Sequence, residues 1–225
     1  GLSRLDNRLP YIACQGNHDL GYIAAEYRYS MMPNYIYPER NSAFAKTLVS
    51  TGTNYEGIHT MENSAYEFHD EAWGDLLIIS FEFAPRDEAL DWARQLIESE
   101  RFVNHKVIIL THSFLATNGD RIVEEGYKLT PRNWAQAVWE KLIYPSKNIK
   151  MVLCGHTGNP PKIRKGEDVD YHMTTSCRVD KAADGHEVVQ MMFNSQNGDG
   201  SWNGNGGDCW LRILEFKPDG KTIGV

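Results

Sequence analysis

Three short apolar runs, each followed within four residues by a histidine, restrict the fold of this 225-residue chain more than any other feature. The runs and their histidines are residues 11–14 with His18, 107–110 with His112, and 151–154 with His156. A strand buried on both faces of a parallel sheet has this near-continuous apolar pattern. Ligands of open α/β sheets bind outside the carboxyl ends of the strands, so we expect Asn17, His18, His112 and His156 to lie along one edge. Imidazole nitrogens and an amide oxygen suit a transition metal, and the pattern predicts a metal site.

The remaining periodicity predicts an α/β fold in a single domain over residues 1–225. The predicted elements are a short helix over 22–31, a surface excursion over 39–60, strands over 64–69, 76–81, 106–111 and 149–154, and helices over 87–101 and from Thr130-Pro131 to Tyr144. Two right-handed β-α-β crossovers then place the last three of these strands in one sheet. Runs over 171–176, 188–193 and 210–216 have no helices between them, which predicts antiparallel strands of a second sheet.

Charge and hydropathy exclude some classes of function. The net charge is −7 and no cluster of Lys and Arg stands out, which argues against nucleic acid as the main partner. No apolar stretch approaches 18 residues, so the sequence predicts no membrane span. The four cysteines contain no Cys-x-x-Cys pair and leave the redox compartment open.

The motifs that follow the apolar runs resemble those of a known family. In order, they are Gly16-Asn17-His18-Asp19, Thr111-His112-Ser113 and Cys154-Gly155-His156-Thr157. They resemble the later motifs of the calcineurin-like metallophosphoesterases, and the likeness covers residues 11–160. The resemblance implies a metallophosphoesterase-like sandwich of two mixed β-sheets flanked by helices. It also implies hydrolysis of a phosphate mono- or diester by a metal-activated hydroxide.

The resemblance also implies roles for individual residues. Asn17, His112 and His156 would bind one metal of a dinuclear site that holds Zn, Mn or Fe. His18 would contact the substrate phosphate and protonate or support the leaving oxygen, and Asp19 would orient that imidazole. Trp202, in a glycine-rich stretch, is predicted to form a platform for a phosphorylated small-molecule, glycan or lipid substrate.

Two departures from the family pattern leave an alternative open. The family's Asp-x-His and Gly-Asp motifs are not in this sequence, and we expect them, with the first strands, to precede residue 1. Gly158 stands where the family's Gly-His-x-His motif has its second histidine. His172 and Asp208 could replace the missing ligands, although strand or surface roles suit them better. The alternative is therefore a non-catalytic binding module with a vestigial metal site. Related proteins with such loops are often exported, which favours a periplasmic or secreted parent.

Overall fold

The core of the molecule is one mixed β-sheet. The computed structural model describes residues 2–158, 174–195 and 211–225. The strands of the sheet are β1 (Leu48–Thr53), β2 (His59–Asp70), β3 (Gly74–Ser80), β4 (Lys106–Leu110), β5 (Ile149–Cys154), β6 (Thr174–Lys181) and β7 (Glu187–Asn194). Their spatial order is β1-β2-β3-β4-β5-β7-β6. A separate ribbon pairs β8 (Glu215–Phe216) with β9 (Ile223–Gly224).

The centre of the sheet is parallel, as the apolar runs predicted. β3 pairs parallel with β4, β4 with β5, and β5 with β7. Leu77, Ile79, Val107, Ile109 and Val152 on these strands are fully buried. Both predicted β-α-β units are present, so the carboxyl ends of β3, β4 and β5 lie at one edge of the sheet.

The helices are few and short within the described residues. They are α1 (Phe44–Thr47), α2 (Asp87–Glu98) and α3 (Ala135–Val138), which continues as a π-helical turn over Trp139–Ile143; 3-10 turns occur at Leu2–Arg4, Asn17–Asp19, Met32–Asn34 and Pro38–Arg40. In α2, Asp87 and Glu88 lie in the first turn, where negative charge is favourable. Its buried face is Ala89, Leu90, Ala93 and Ile97. This helix is confirmed, ending three residues before the predicted Arg101.

One predicted helix begins later than expected, and another is absent. The Thr130-Pro131 peptide bond is cis, and α3 begins only at Ala135. The Pro131 carbonyl instead accepts hydrogen bonds from the buried Arg28 guanidinium. Residues 22–31 form no helix, because the Glu26 carboxylate accepts hydrogen bonds from backbone N–H groups at 22–24. Such local side-chain bonds compete with helix formation.

The strand assignment also needs correction. Residues 11–14 form no strand but lie beside the end of β3, where the Ser80 hydroxyl donates to the Ala13 carbonyl over 3.1 Å. β1 lies inside the predicted excursion over 39–60. β6 and β7 extend the main sheet, so their assignment to a second sheet is wrong. The predicted α/β sandwich is confirmed, and its two sheets are a seven-stranded mixed sheet and a small two-stranded one. In the described ranges, no helix has the length and apolar character needed to cross a membrane.

Candidate metal centre

The three ligand candidates predicted from the sequence converge at the carboxyl edge of the sheet. Asn17 opens the 3-10 turn after residues 11–14, His112 follows β4 and His156 follows β5. Asn17 Oδ1 lies 2.9 Å from His112 Nε2, and His156 Nδ1 lies 3.1 Å from the same nitrogen. The predicted meeting of these side chains is therefore observed, while their role as ligands stays a prediction.

The spacing of these three donor atoms fits a metal ion. Two ligand atoms each about 2.1 Å from a metal lie about 3.0 Å apart at the right angle of an octahedral site and about 3.4 Å apart at the tetrahedral angle that zinc prefers. The observed 2.9 and 3.1 Å separations match the right-angled value and are also those of hydrogen bonds. Two imidazole nitrogens with one amide oxygen suit Zn, Mn or Fe. The set nevertheless covers one side of an ion only. The described residues contain no group of three or more His, Cys, Asp and Glu side chains that could hold a metal.

Burial keeps His112 ready to act as a ligand. Removal from water, together with repulsion of a second positive charge by the neighbouring His156 and His18, lowers the pKa of His112 to about 4. The imidazole is therefore neutral at neutral pH and keeps a lone pair. The Phe83 ring packs edge-on against His112 at 5.7 Å and tilted against His156 at 6.0 Å between centroids. This apolar wall excludes water from one side of the site.

Two side chains that the sequence analysis missed complete the surroundings. Glu125 Oε1 lies 3.1 Å from His156 Nε2, and the Ser113 hydroxyl donates to Glu125 Oε2 over 3.0 Å. A proton held on Nε2 by this carboxylate leaves the Nδ1 lone pair directed at His112. The Tyr127 hydroxyl accepts a hydrogen bond from Asn17 Nδ2 over 3.1 Å, which turns Oδ1 towards the histidines.

A signal for Glu125 and Tyr127 existed in the topology rather than in a motif. Both lie on the segment that leaves β4 and leads to α3. A crossover connection begins at the carboxyl edge of its first strand, so polar residues of this segment are candidates to contact the site. This segment has no periodicity and contains several carboxylates, so its sequence alone does not distinguish Glu125 from the others.

The last histidine occupies an unusual backbone conformation. His156 has φ +67°, in the left-handed region that non-glycine residues rarely adopt. Its carbonyl accepts a hydrogen bond from Asn194 Nδ2 over 2.9 Å, which ties the turn to the end of β7. At Gly155, a Cβ atom would come within 3.2 Å of the Phe193 carbonyl oxygen. At Gly158, a Cβ would come within 3.2 Å of Asn194 Nδ2. The turn is therefore packed closely on both sides.

The remaining predicted residues have different surroundings. His18 is exposed, and its Nδ1 lies 2.7 Å from the Ile23 carbonyl. Asp19 Oδ2 accepts the Gly16 N–H over 2.8 Å and closes the turn, and the predicted role of Asp19 in orienting His18 stays a prediction. Trp202, His172 and Asp208 lie outside the described residues.

Comparison with known proteins agrees with this geometry. Residues 2–160 match the family described as calcineurin-like phosphoesterase. The chain is also similar to a protein of Bacillus subtilis (strain 168) described as "Uncharacterized protein YvnB", with 24% identity over 213 residues. The aligned region covers 92% of this chain and 13% of that protein, so the chain spans a small part of that relative's length. On the family match, which takes in all three converging side chains, this chain belongs to the calcineurin-like phosphoesterase family.

Proposed function

We propose that this chain contributes, as a single domain over residues 1–225, to a metal-dependent hydrolase of phosphate monoesters or diesters. The observation that supports the proposal most strongly is the convergence of Asn17 Oδ1, His112 Nε2 and His156 Nδ1. These atoms would hold a divalent Zn, Mn or Fe ion. Such an ion neutralises phosphoryl oxygens and lowers the pKa of water. The substrate would be a phosphorylated small molecule, glycan or lipid.

The chain's own residues have separate tasks in this proposal. His18 is exposed beside the convergent set, and its Nδ1–H can stay with the Ile23 carbonyl. Nε2 then faces solvent, where a protonated imidazole can donate to the oxygen of the leaving alcohol. Glu125 and Tyr127 keep His156 and Asn17 in the orientation that directs their donor atoms to one point. Phe83 keeps water away from the buried side of both imidazoles.

One observation favours a second candidate, a binding module whose metal site no longer supports hydrolysis. Gly158 offers no side-chain donor at the position where the family motif has a second histidine. The convergent residues in the described part of the chain supply no carboxylate bridge on their own. Such a module would bind a phosphorylated ligand without turning it over.

The test combines metal content with hydrolysis of an aryl phosphate monoester and a bis-aryl phosphodiester. Metal-loaded protein is compared with the variants Asn17→Ala and His112→Gln, and with His69→Gln as a matched control. The His69 side chain is 71% exposed and pairs with Asp75, so its loss should change neither metal content nor turnover. Both site variants should lose bound metal and turnover together.

The outcomes separate the two candidates. Metal that binds and is lost in both site variants, with turnover of either ester, supports the hydrolase. Metal that binds in the same residue-dependent way without turnover of either ester, in this chain and in a longer version of the protein, supports the binding module. Turnover that survives in His112→Gln at the wild-type rate would contradict the proposed site.

A further inference from the structure

A cavity beside the candidate metal centre is not used by the proposed mechanism. It has a volume of about 230 Å³, several times the roughly 30 Å³ that a water molecule occupies in the liquid. The residues that line it include Tyr27, Tyr29 and Tyr55 together with Glu56, Glu62 and Arg28. A cavity of this size has room for a small substituted group of a ligand.

The cavity lies at the same edge of the sheet as the convergent histidines. Ser64 of β2 pairs with Ser80 at the carboxyl end of β3, so Glu62, two residues earlier on β2, extends past that end. Glu62 Oε1 accepts a hydrogen bond from Gln15 Nε2 over 2.7 Å. Gln15 precedes Asn17 by two residues, a step of at most about 7 Å. The segment from Gln15 to Asn17 therefore leads from the wall of the cavity to the candidate metal centre.

The cavity offers a buried carboxylate. Glu62 is only 4% exposed, and its second oxygen accepts from the Thr60 hydroxyl over 2.8 Å. A carboxylate has about four lone-pair positions, so these two hydrogen bonds leave acceptor capacity for a ligand. Glu56 adds a second, exposed carboxylate at the wall. Burial raises the cost of leaving such a charge without a positive partner.

The one arginine in the wall is not free to bind an anion. The Arg28 guanidinium donates to the carbonyls of Phe83 over 2.8 Å and Ala84 over 2.6 Å, and to that of Pro131. Its charge lies 3.8 Å from Glu82, which also pairs with Arg86 at 2.9 Å. Among the described residues that line the cavity, one arginine, Arg28, stands against two carboxylates, Glu56 and Glu62, which leaves an excess of one negative charge.

The tyrosine rings strengthen the preference for positive charge. Tyr27, Tyr29 and Tyr55 are 39%, 52% and 56% exposed, although large aromatic rings are usually covered. The face of an aromatic ring attracts a cation within about 6 Å. The Arg86 guanidinium already lies 6.0 Å from the centre of the Tyr55 ring. Several such rings around one cavity are the usual way that proteins recognise substituted ammonium groups.

We propose that the cavity bounded by Tyr27, Tyr29, Tyr55 and Glu62 binds an ammonium group carried by the substrate. This inference rests on the proposed hydrolase function, because it states which chemical group the alcohol part of the phosphoester substrate carries. Glu62 supplies the opposite charge, and the tyrosine rings surround the substituents on nitrogen. The hydrogen bond from Gln15 to Glu62 connects this pocket to the segment that carries Asn17.

The first experiment measures binding without any reaction. Calorimetry compares a trimethylammonium ethanol salt with its uncharged carbon isostere, 3,3-dimethylbutan-1-ol, on the metal-loaded protein. We expect the cation to bind at least tenfold more tightly, and the variants Glu62→Gln and Tyr55→Leu to remove most of that difference. Glu71→Gln, an exposed change of the same charge in the turn after β2, should leave it unaltered. Equal binding of the two alcohols would overturn the inference.

The Tyr55→Leu variant should stay folded, because this side chain is 56% exposed and its loss should leave the melting temperature unchanged. A loss of cation binding in this variant is therefore not explained by misfolding. The test therefore does not depend on a Glu62→Gln variant that stays folded. Unchanged discrimination between the two alcohols in a folded Tyr55→Leu protein would also contradict the inference.

The second experiment separates this inference from the proposed function. Two aryl phosphodiesters carry either the trimethylammonium ethyl group or the 3,3-dimethylbutyl group as the second alcohol. We expect kcat/KM to be about tenfold higher for the cationic ester, through KM, and most of that difference to be lost in Tyr55→Leu. Hydrolysis of both esters with equal kcat/KM by the wild type would refute the pocket and support the hydrolase. Cation binding without hydrolysis of either ester would support the pocket and refute the hydrolase.

Discussion

The contact between Glu125 and His156 offers the sharpest test of the candidate metal centre. The Glu125 side chain is 14% exposed, and its Oε1 lies 3.1 Å from His156 Nε2. A buried carboxylate at this distance fixes which ring nitrogen carries the proton and raises the basicity of the other. Glu125→Gln keeps the shape of the side chain and removes its charge, so the ring loses that support while its neighbours stay in place.

The expected effect is a 10- to 100-fold weaker affinity for metal, the usual result of losing a partner that orients a metal-binding histidine. At 1.4 kcal/mol for each factor of ten, the loss is about 1.4–2.8 kcal/mol. The Ser113 hydroxyl can still donate to the amide oxygen of the substituted side chain, which turns the amide NH2 towards His156 Nε2 and disfavours the tautomer with its proton on that nitrogen.

The assay is competition for Zn²⁺ against a chromophoric chelator at pH 7, with the wild type and two variants. Glu124→Gln is the control, because this neighbouring side chain is 78% exposed and the substitution changes the net charge equally. A general effect of the lost negative charge would weaken the zinc affinity of both variants alike. Equal zinc affinity of Glu125→Gln and Glu124→Gln would refute the role given to Glu125.

Three further substitutions test the packing around the site and the core. Gly16→Ala should weaken zinc affinity at least tenfold in the same assay, because its Cβ would lie 3.0 Å from the His112 ring, whereas Gly126→Ala has open space and should not. Tyr66→Phe should raise the unfolding free energy by about 1–3 kcal/mol in urea at pH 7, since the buried hydroxyl has no hydrogen-bond partner. Burial raises the pKa of Tyr66 to about 12, so the wild type should also lose stability from pH 10 through 12 and the variant lose less. Leu90→Ala should lower the free energy of unfolding by about 2–5 kcal/mol in urea titration, because this side chain is 1% exposed.

The parallel centre of the sheet and the meeting of three side chains could be predicted from the sequence. Strands buried on both faces need continuous apolar runs, and the runs at 106–110 and 149–154 showed β4 and β5 directly. Their shared direction then fixed the edge where His112 and His156 had to meet. This inference needed no knowledge of side-chain packing.

Other features depended on contacts that are distant in sequence. The segment after Thr130 is held by Arg28, whose guanidinium donates to the Pro131 carbonyl from more than 100 residues away. β7 pairs parallel with β5, and no local signal distinguishes a strand that extends the main sheet from one that starts another. The contact of His18 is local by comparison, since its Nδ1 lies 2.7 Å from the carbonyl of Ile23, five residues away.

Gly158 is more than a missing ligand, and the structure predicts the result of restoring the family's histidine. A Cβ at this position would lie 3.2 Å from Asn194 Nδ2, which in turn holds the His156 carbonyl over 2.9 Å. Because His156 has φ +67°, loss of that hydrogen bond should let its backbone relax and move the imidazole away from His112.

Gly158→His should therefore weaken zinc affinity rather than strengthen it, despite the added imidazole. Gly158→Ala isolates the steric part, and we expect it to weaken affinity in the same direction by a smaller factor. Chelator competition on both variants provides the measurement. Tighter zinc binding by Gly158→His than by wild type would show that the turn can accept a side chain at this position. The close packing against Asn194 would then not be the reason that glycine occupies it.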